Sequence, residues 1–186
     1  MSDQVDQLFP TTVVGAGAWG TALAIAIARN GHDVLLWGRD AEQLTGMQQT
    51  HSNERYLPGL EFPDTLKIVT DFEQAIKAAK HVLISVPSIA FSDILKMIKP
   101  LITEGIPVSW ATKGLTPETG CFLYDTAATI LGDSHPLAVI SGPSFAAEVA
   151  KDLPTAITVA SRDDVFSQNI ASAMHRPTLR VYTSRD

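Results

Sequence analysis

A single cysteine, Cys121, gives this sequence no partner for an internal disulfide, so a reducing compartment is expected. Basic charge is also scarce. The 14 Lys and Arg against 20 Asp and Glu leave a net charge of -6. Those cations are scattered, whereas nucleic-acid binding demands clusters. Long apolar runs are missing too: the longest, Thr21 to Ala28, is far too short for a bilayer. Met1 to Phe9 has no apolar segment of the kind a signal peptide needs. His32, His51, His81, His135 and His175 are dispersed without ligand spacing, so no metal is expected. Nor is there a G-x-S-x-G elbow, a P-loop lysine or a Cys–His nucleophile pattern. These deficits point to a soluble, cytoplasmic protein working on small molecules, with no nucleic acid and no membrane span. Its 186 residues, 45% hydrophobic and 18% charged, fit one ordinary domain with an ample core.

What is present is alternation. Apolar runs predict strands over Thr11–Val14, Val34–Trp37, Leu66–Val69, Val82–Val86, Pro107–Ala111, Leu137–Ile140, Ala156–Ala160 and Leu179–Tyr182. Helical patterns separate them: Thr21–Asn30, Ala41–Gln49, Asp71 to Ala79, Ile89–Ile98, Cys121–Leu131 and Asp163–Met174. Another runs to Ala150 with Ser144 as its expected N-cap. His51 to Asp64, broken by Pro58, Gly59 and Pro63, reads as an irregular connection. The pattern implies an α/β fold, a doubly wound and mostly parallel sheet over 11–186, after a flexible N-terminus over 1–10. Right-handed crossovers would set every strand's C-terminal end on one edge, where such sheets bind ligands.

The most informative motif stands at the first of those ends. Gly15-Ala16-Gly17-Ala18-Trp19-Gly20 is a G-x-G-x-x-G between an apolar run and an Ala-rich helical pattern. Gly15 permits the tight turn, Gly17 lets backbone approach a pyrophosphate, and Gly20 lets helix and sheet pack closely. The N–H groups opening that helix form an anion site. Arg39 follows Gly20 by nineteen positions, where NAD-binding sites usually carry an acidic residue. A guanidinium suits a 2′-phosphate, which points to NADP(H); neighbouring Asp40 leaves NAD open. A solvated charge beside a helix start is the plain alternative for Arg39. Lys113 follows an apolar strand and is placed to hold a carbonyl or phosphate oxygen, although a lysine there is ordinarily a surface charge. Ser144 and Glu148 suffice to cap a helix, whose N–H groups would also serve an anion beside Lys113. Pro87, after Ser85 and Val86, fits the wall of a cofactor site.

With these residues assembled, the chain resembles the bacterial NAD(P)-dependent glycerol-3-phosphate dehydrogenase family. The motifs are Gly-Ala-Gly-Ala-Trp-Gly-Thr-Ala-Leu-Ala at 15–24, Leu-Trp-Gly-Arg at 36–39 and Asn-Glu-Arg-Tyr-Leu-Pro-Gly at 53–59. Val-Pro-Ser at 86–88, Trp-Ala-Thr-Lys-Gly-Leu at 110–115 and Ser-Gly-Pro-Ser-Phe-Ala-Ala-Glu at 141–148 complete them. The resemblance implies a Rossmann-type domain in which Ala18, Trp19, Arg39, Lys113 and Ala146 contact NADPH. It places Lys113, Gly142 and Ser144 at the substrate, with Lys113 as the catalytic residue. The implied reaction is reversible reduction of dihydroxyacetone phosphate to sn-glycerol 3-phosphate for phospholipid synthesis. In the family a helical domain follows and brings the lysine taken as main proton acceptor, which is expected beyond Asp186. These 186 residues are expected to lack that domain, to bind NADP(H), and to turn over slowly or not at all. Two other readings stay open, a stand-alone dinucleotide-binding module and a related hydroxy-acid dehydrogenase; Thr112-Lys113-Gly114-Leu115 argues against the second. A homo-oligomer is compatible with each.

Overall fold

The computed structural model describes residues 10–117 and 119–185. The flexible segment expected over 1–10 therefore falls, except for Pro10, outside the described residues. Asp186, the expected last residue of the domain, lies outside them too. Strands and helices alternate as β1 (Thr11–Val14), α1 (Ala18–Ala28), β2 (Val34–Trp37), α2 (Ala41–Thr50), β3 (Leu66–Ile68), α3 (Phe72–Lys77) and β4 (His81–Ile84). They continue as α4 (Ser88–Ile98), β5 (Val108–Trp110), α5 (Leu123–Leu131), β6 (Leu137–Ser141), α6 (Ala146–Ala150), β7 (Thr155–Ser161), α7 (Asp164–Met174) and β8 (Leu179–Ser184). All eight strands join one sheet in the order β3-β2-β1-β4-β5-β6-β7-β8.

Each element follows from its residues. Helix α1 is small and apolar all round, and Gly20 through Ala28 are buried between the sheet and α6 and α7. Helix α4 instead buries Phe91, Ile94, Leu95 and Ile98 at i, i+3, i+4, i+7 spacing and leaves Asp93 and Lys96 in water. Asp40, Asp71 and Asp163 cap α2, α3 and α7 by accepting the N–H of Gln43, Gln74 and Phe166. Alternate strand residues feed two cores. Val13 and Leu83 meet α1, while Val14, Val82 and Ile84 meet α4 and α5 on the opposite face. Among the described residues no helix is long and apolar enough to cross a membrane.

Strands β1 to β6 are parallel, which bears out the mostly parallel sheet. The expectation that every strand ends on one edge is corrected by β7, which runs antiparallel to β6 and carries β8 with it. The reason is length. Helix α6 has five residues, which at 1.5 Å each advance roughly 7 Å, too little to carry the chain back across the sheet. The chain re-enters at the edge it has just left.

One buried ionisable group gives the fold a pH dependence. His81 opens β4 at 2% exposure, with Nδ1 3.3 Å from Thr11 Oγ1, Nε2 2.7 Å from Ser109 Oγ and its ring edge-on to Phe166. Burial pushes its pKa down from 6.5 to about 3. The unfolded chain takes up this proton near pH 6.5 and the native protein only near 3, so stability is lost as the pH is lowered from 6.5 towards 3. The slope from this residue is about 1.4 kcal/mol per pH unit. Urea melts at pH 6.5 and 5 should differ by about 2 kcal/mol more in the native sequence than in His81→Gln. Parallel pH profiles would refute this account.

Candidate functional site

The site begins where β1 ends. Gly15, at φ +123°, is in a conformation that side chains disfavour, and its N–H donates to Trp37 O at 2.8 Å. A Cβ on Gly15 would stand 2.1 Å from Ser85 O, and one on Gly20 would stand 1.9 Å from Gly15 O. These two glycines close the turn against β4 and against itself. A Cβ on Gly17 would meet no protein atom within 4 Å. Gly17 occupies the N-cap position of α1, and Thr21 N is the first amide bonded back into the helix, to Gly17 O at 3.0 Å. The N–H groups before it have no intrahelical acceptor. Open space beside uncommitted amides at a positive dipole end is what a dinucleotide diphosphate requires, so the residues fit that group.

The cleft lies at the switch point, where the strand order turns from β1 to β4. It has a volume of about 420 Å³ and gathers residues from four segments. Gly17 to Gly20 form its floor, Ser85 to Pro87 follow β4, Ala111 to Lys113 follow β5, and Ser144 to Ala146 lead into the first residue of α6. Thr112 Oγ1 donates to Val86 O at 2.8 Å and clamps the two strand exits together. Lys113 Nζ lies 5.9 Å from the Trp19 ring centroid, within reach of the ring's negative face. Among the described residues, Lys113 is the one titratable side chain on this lining. Among the described residues the lining holds no second lysine. Trp19 Nε1 is buried and finds no acceptor among the described residues.

Of the sequence candidates, the structure brings Gly17, Ala18, Trp19, Gly20, Pro87, Lys113, Ser144 and Ala146 to one cleft. Ser144 is not the cap expected of it. Phe145 takes the N-cap position of α6, and Ser144 Oγ donates instead to Ala156 O at 2.7 Å, because β7 returns alongside. Gly142 lies off the lining and packs on β7, where a Cβ would be 2.9 Å from Ala156 O. Arg39 stands apart, exposed beyond the end of β2, with no hydrogen bond or ion pair among the described residues. Asp40 is engaged: Oδ1 accepts Gln43 N at 3.1 Å and Oδ2 pairs with Arg55 Nη1 at 3.0 Å. The Gln43 N–H, and after it Arg55, holds the Asp40 carboxyl below its usual range.

Three residues went unnoticed as site elements. Gln43 Nε2 and Asn53 Nδ2 both donate to Ala16 O, at 2.8 and 3.1 Å, and Arg55 supplies the partner of Asp40. Asn53 and Arg55 stand in an irregular connection without periodicity; the Asn-Glu-Arg-Tyr-Leu-Pro-Gly motif at 53–59 marks the segment, but no spacing shows which of its side chains reach the glycine turn or Asp40.

Residues 10–167 match the family model described as NAD-dependent glycerol-3-phosphate dehydrogenase N-terminus. A glycerol-3-phosphate dehydrogenase (NAD(P)+) of Xanthomonas campestris pv. campestris is 50% identical over 186 residues, which is 100% of this chain and 54% of that protein. One from Idiomarina loihiensis is 51% identical over 176 residues, 94% of this chain and 53% of that protein. The chain thus spans about half the length of these relatives. The crystal structure of a glycerol-3-phosphate dehydrogenase from Coxiella burnetii superposes with a TM-score of 0.91 at 42% identity, over 95% of this chain and 54% of that one.

Proposed function

Because the chain belongs to the NAD-dependent glycerol-3-phosphate dehydrogenase N-terminus family, we propose that it is the nicotinamide-binding part of an oxidoreductase. Its reaction on this reading interconverts dihydroxyacetone phosphate and sn-glycerol 3-phosphate, a product for phospholipid synthesis. The observation that carries the reading is the position of Lys113, set by the exit of β5 over Trp19 in the cleft that Gly17 leaves open.

A bound nicotinamide supplies or accepts the hydride at C2 of the substrate. Lys113 meets the oxygen on which negative charge grows as the ketone is reduced, and stabilises the alkoxide. The opening amides of α1 hold the diphosphate. Gly15 and Gly20 keep the turn closed, and Ala18, Pro87 and Ala146 wall the cofactor. Ser144, on the cleft lining, and Gly142, behind it against β7, are the substrate-side positions of this reading. Arg39 takes a 2′-phosphate, so NADP(H) is preferred and NAD comes second. Support for this order is that Asp40 already has two donors, whereas Arg39 has no bonding partner among the described residues. Residues 11–186 act as one dinucleotide-binding unit, in the cytoplasm; a free and exposed Cys121 is compatible with that setting.

Lys113 alone offsets charge on one side of the substrate; it does not also grip the phosphate from across the cleft or keep water out. The 186-residue polypeptide by itself is therefore expected to bind NADPH and to oxidise it slowly or not at all with dihydroxyacetone phosphate. Calorimetric titration followed by a steady-state NADPH absorbance assay checks both statements. Turnover equal to a full-length relative would refute the second, and absence of binding by either nicotinamide nucleotide would refute the first.

A further inference from the structure

We propose that Asn53 and Gln43 are positioning residues that aim the backbone N–H of Gly17 into the dinucleotide cleft, an inference that rests on the reading of that cleft given above. Both side-chain amides converge on the Ala16 carbonyl oxygen, at 3.1 and 2.8 Å. A trans peptide keeps its C=O and N–H on opposite sides of one plane. Pinning the Ala16 oxygen toward α2 and the connection after it therefore turns the Gly17 N–H the other way. The lining agrees, since Gly17 borders the cleft and Ala16 does not.

Asn53 is 1% exposed, and its Nδ2 also donates to Thr21 Oγ1 at 2.8 Å, a hydroxyl that is itself fully buried. One side chain thus ties the carbonyl before α1 to the first turn of α1. A buried amide is costly unless its hydrogens find acceptors. Here both acceptors belong to the dinucleotide turn and its helix, so any other pose of the turn would orphan them. Anchoring the connection does not by itself call for an amide, because Leu57 and Phe62 already fasten it at 3% and 5% exposure. The polar pair is explained by orientation. A donor fixed before binding spares the ligand the cost of ordering it.

The test uses adenosine, ADP and NADH as probes of the full chain, with circular dichroism as a check on folding. Asn53→Asp keeps the shape and removes the donors. Gln43→Met removes one donor from a partly buried position on α2 and leaves Asn53 in place. Both variants should bind ADP and NADH about tenfold more weakly while adenosine affinity stays unchanged. Equal losses for adenosine and ADP would mark a merely structural role and overturn the proposal. Unchanged ADP affinity in Gln43→Met would overturn it too, even if Asn53→Asp failed to fold. Should the unmodified chain bind neither ADP nor NADH, the dinucleotide reading falls and the proposal with it.

Discussion

An Arg39→Asp variant is expected to lose about 1.5–3 kcal/mol of NADPH affinity and to lose far less for NADH. The guanidinium lies beyond the end of β2, exposed and uncommitted to any described residue. A planar fork with several donors matches a phosphate dianion, so removing it forfeits a charge-assisted bond. Reversing its sign adds repulsion against the 2′-phosphate that NADH does not carry. Asp40 should not compensate, because Gln43 N and Arg55 Nη1 already occupy its two oxygens. Fluorescence titration with both nucleotides measures the difference. Equal weakening of NADPH and NADH would remove Arg39 from the phosphate site.

Two glycines only three residues apart should fail in opposite ways. At Gly17 the backbone, φ −78° and ψ −177°, is open to any residue, and an added Cβ meets no protein atom within 4 Å. Gly17→Ala should leave stability within about 1 kcal/mol. It should cost about 1–3 kcal/mol of NADPH and NADH affinity alike, because the methyl group fills the space left for the diphosphate. At Gly20 the added Cβ would lie 1.9 Å from Gly15 O and 3.1 Å from Ser85 Cβ. The obstacle is backbone, held by Gly15 N to Trp37 O, and cannot rotate aside. Gly20→Ala should therefore destabilise the fold by about 3 kcal/mol or more. Urea melts and nucleotide titrations of both variants separate the roles; a Gly17→Ala chain that binds normally would contradict the placement of the diphosphate.

Much of this was legible from residue order. β1 and β2 match their predicted bounds because each is a short apolar run ended by a glycine. Asp71 caps α3 at the start expected for that helix, since an N-cap depends on only three following residues, and Asp163, expected as the first residue of its helix, caps α7 one position before it. The glycine turn was legible for the same reason, being a local backbone requirement. Ser144 was not, because its acceptor, Ala156 O, arrives twelve residues later on a strand whose direction was unforeseen. The end of α6 at Ala150 was legible, but strand direction depends on which strand β7 pairs with, and that partner, β6, is chosen by tertiary contact rather than by local pattern. The role of Asn53 is not legible in its 53–59 motif, because its partners, Ala16 and Thr21, lie 37 and 32 positions away.

The reversal at β7 has a mechanical consequence. A crossover loop hangs by distant ends and can swing, but the return at 142–154 springs from two neighbouring strands of one ladder, with Ser141 level with Thr158 and Ser144 stitched to Ala156. Swinging it outward would tear both. That side of the opening behaves as a doorpost rather than a door, and it carries the ring of Phe145, 72% exposed, on the cleft lining.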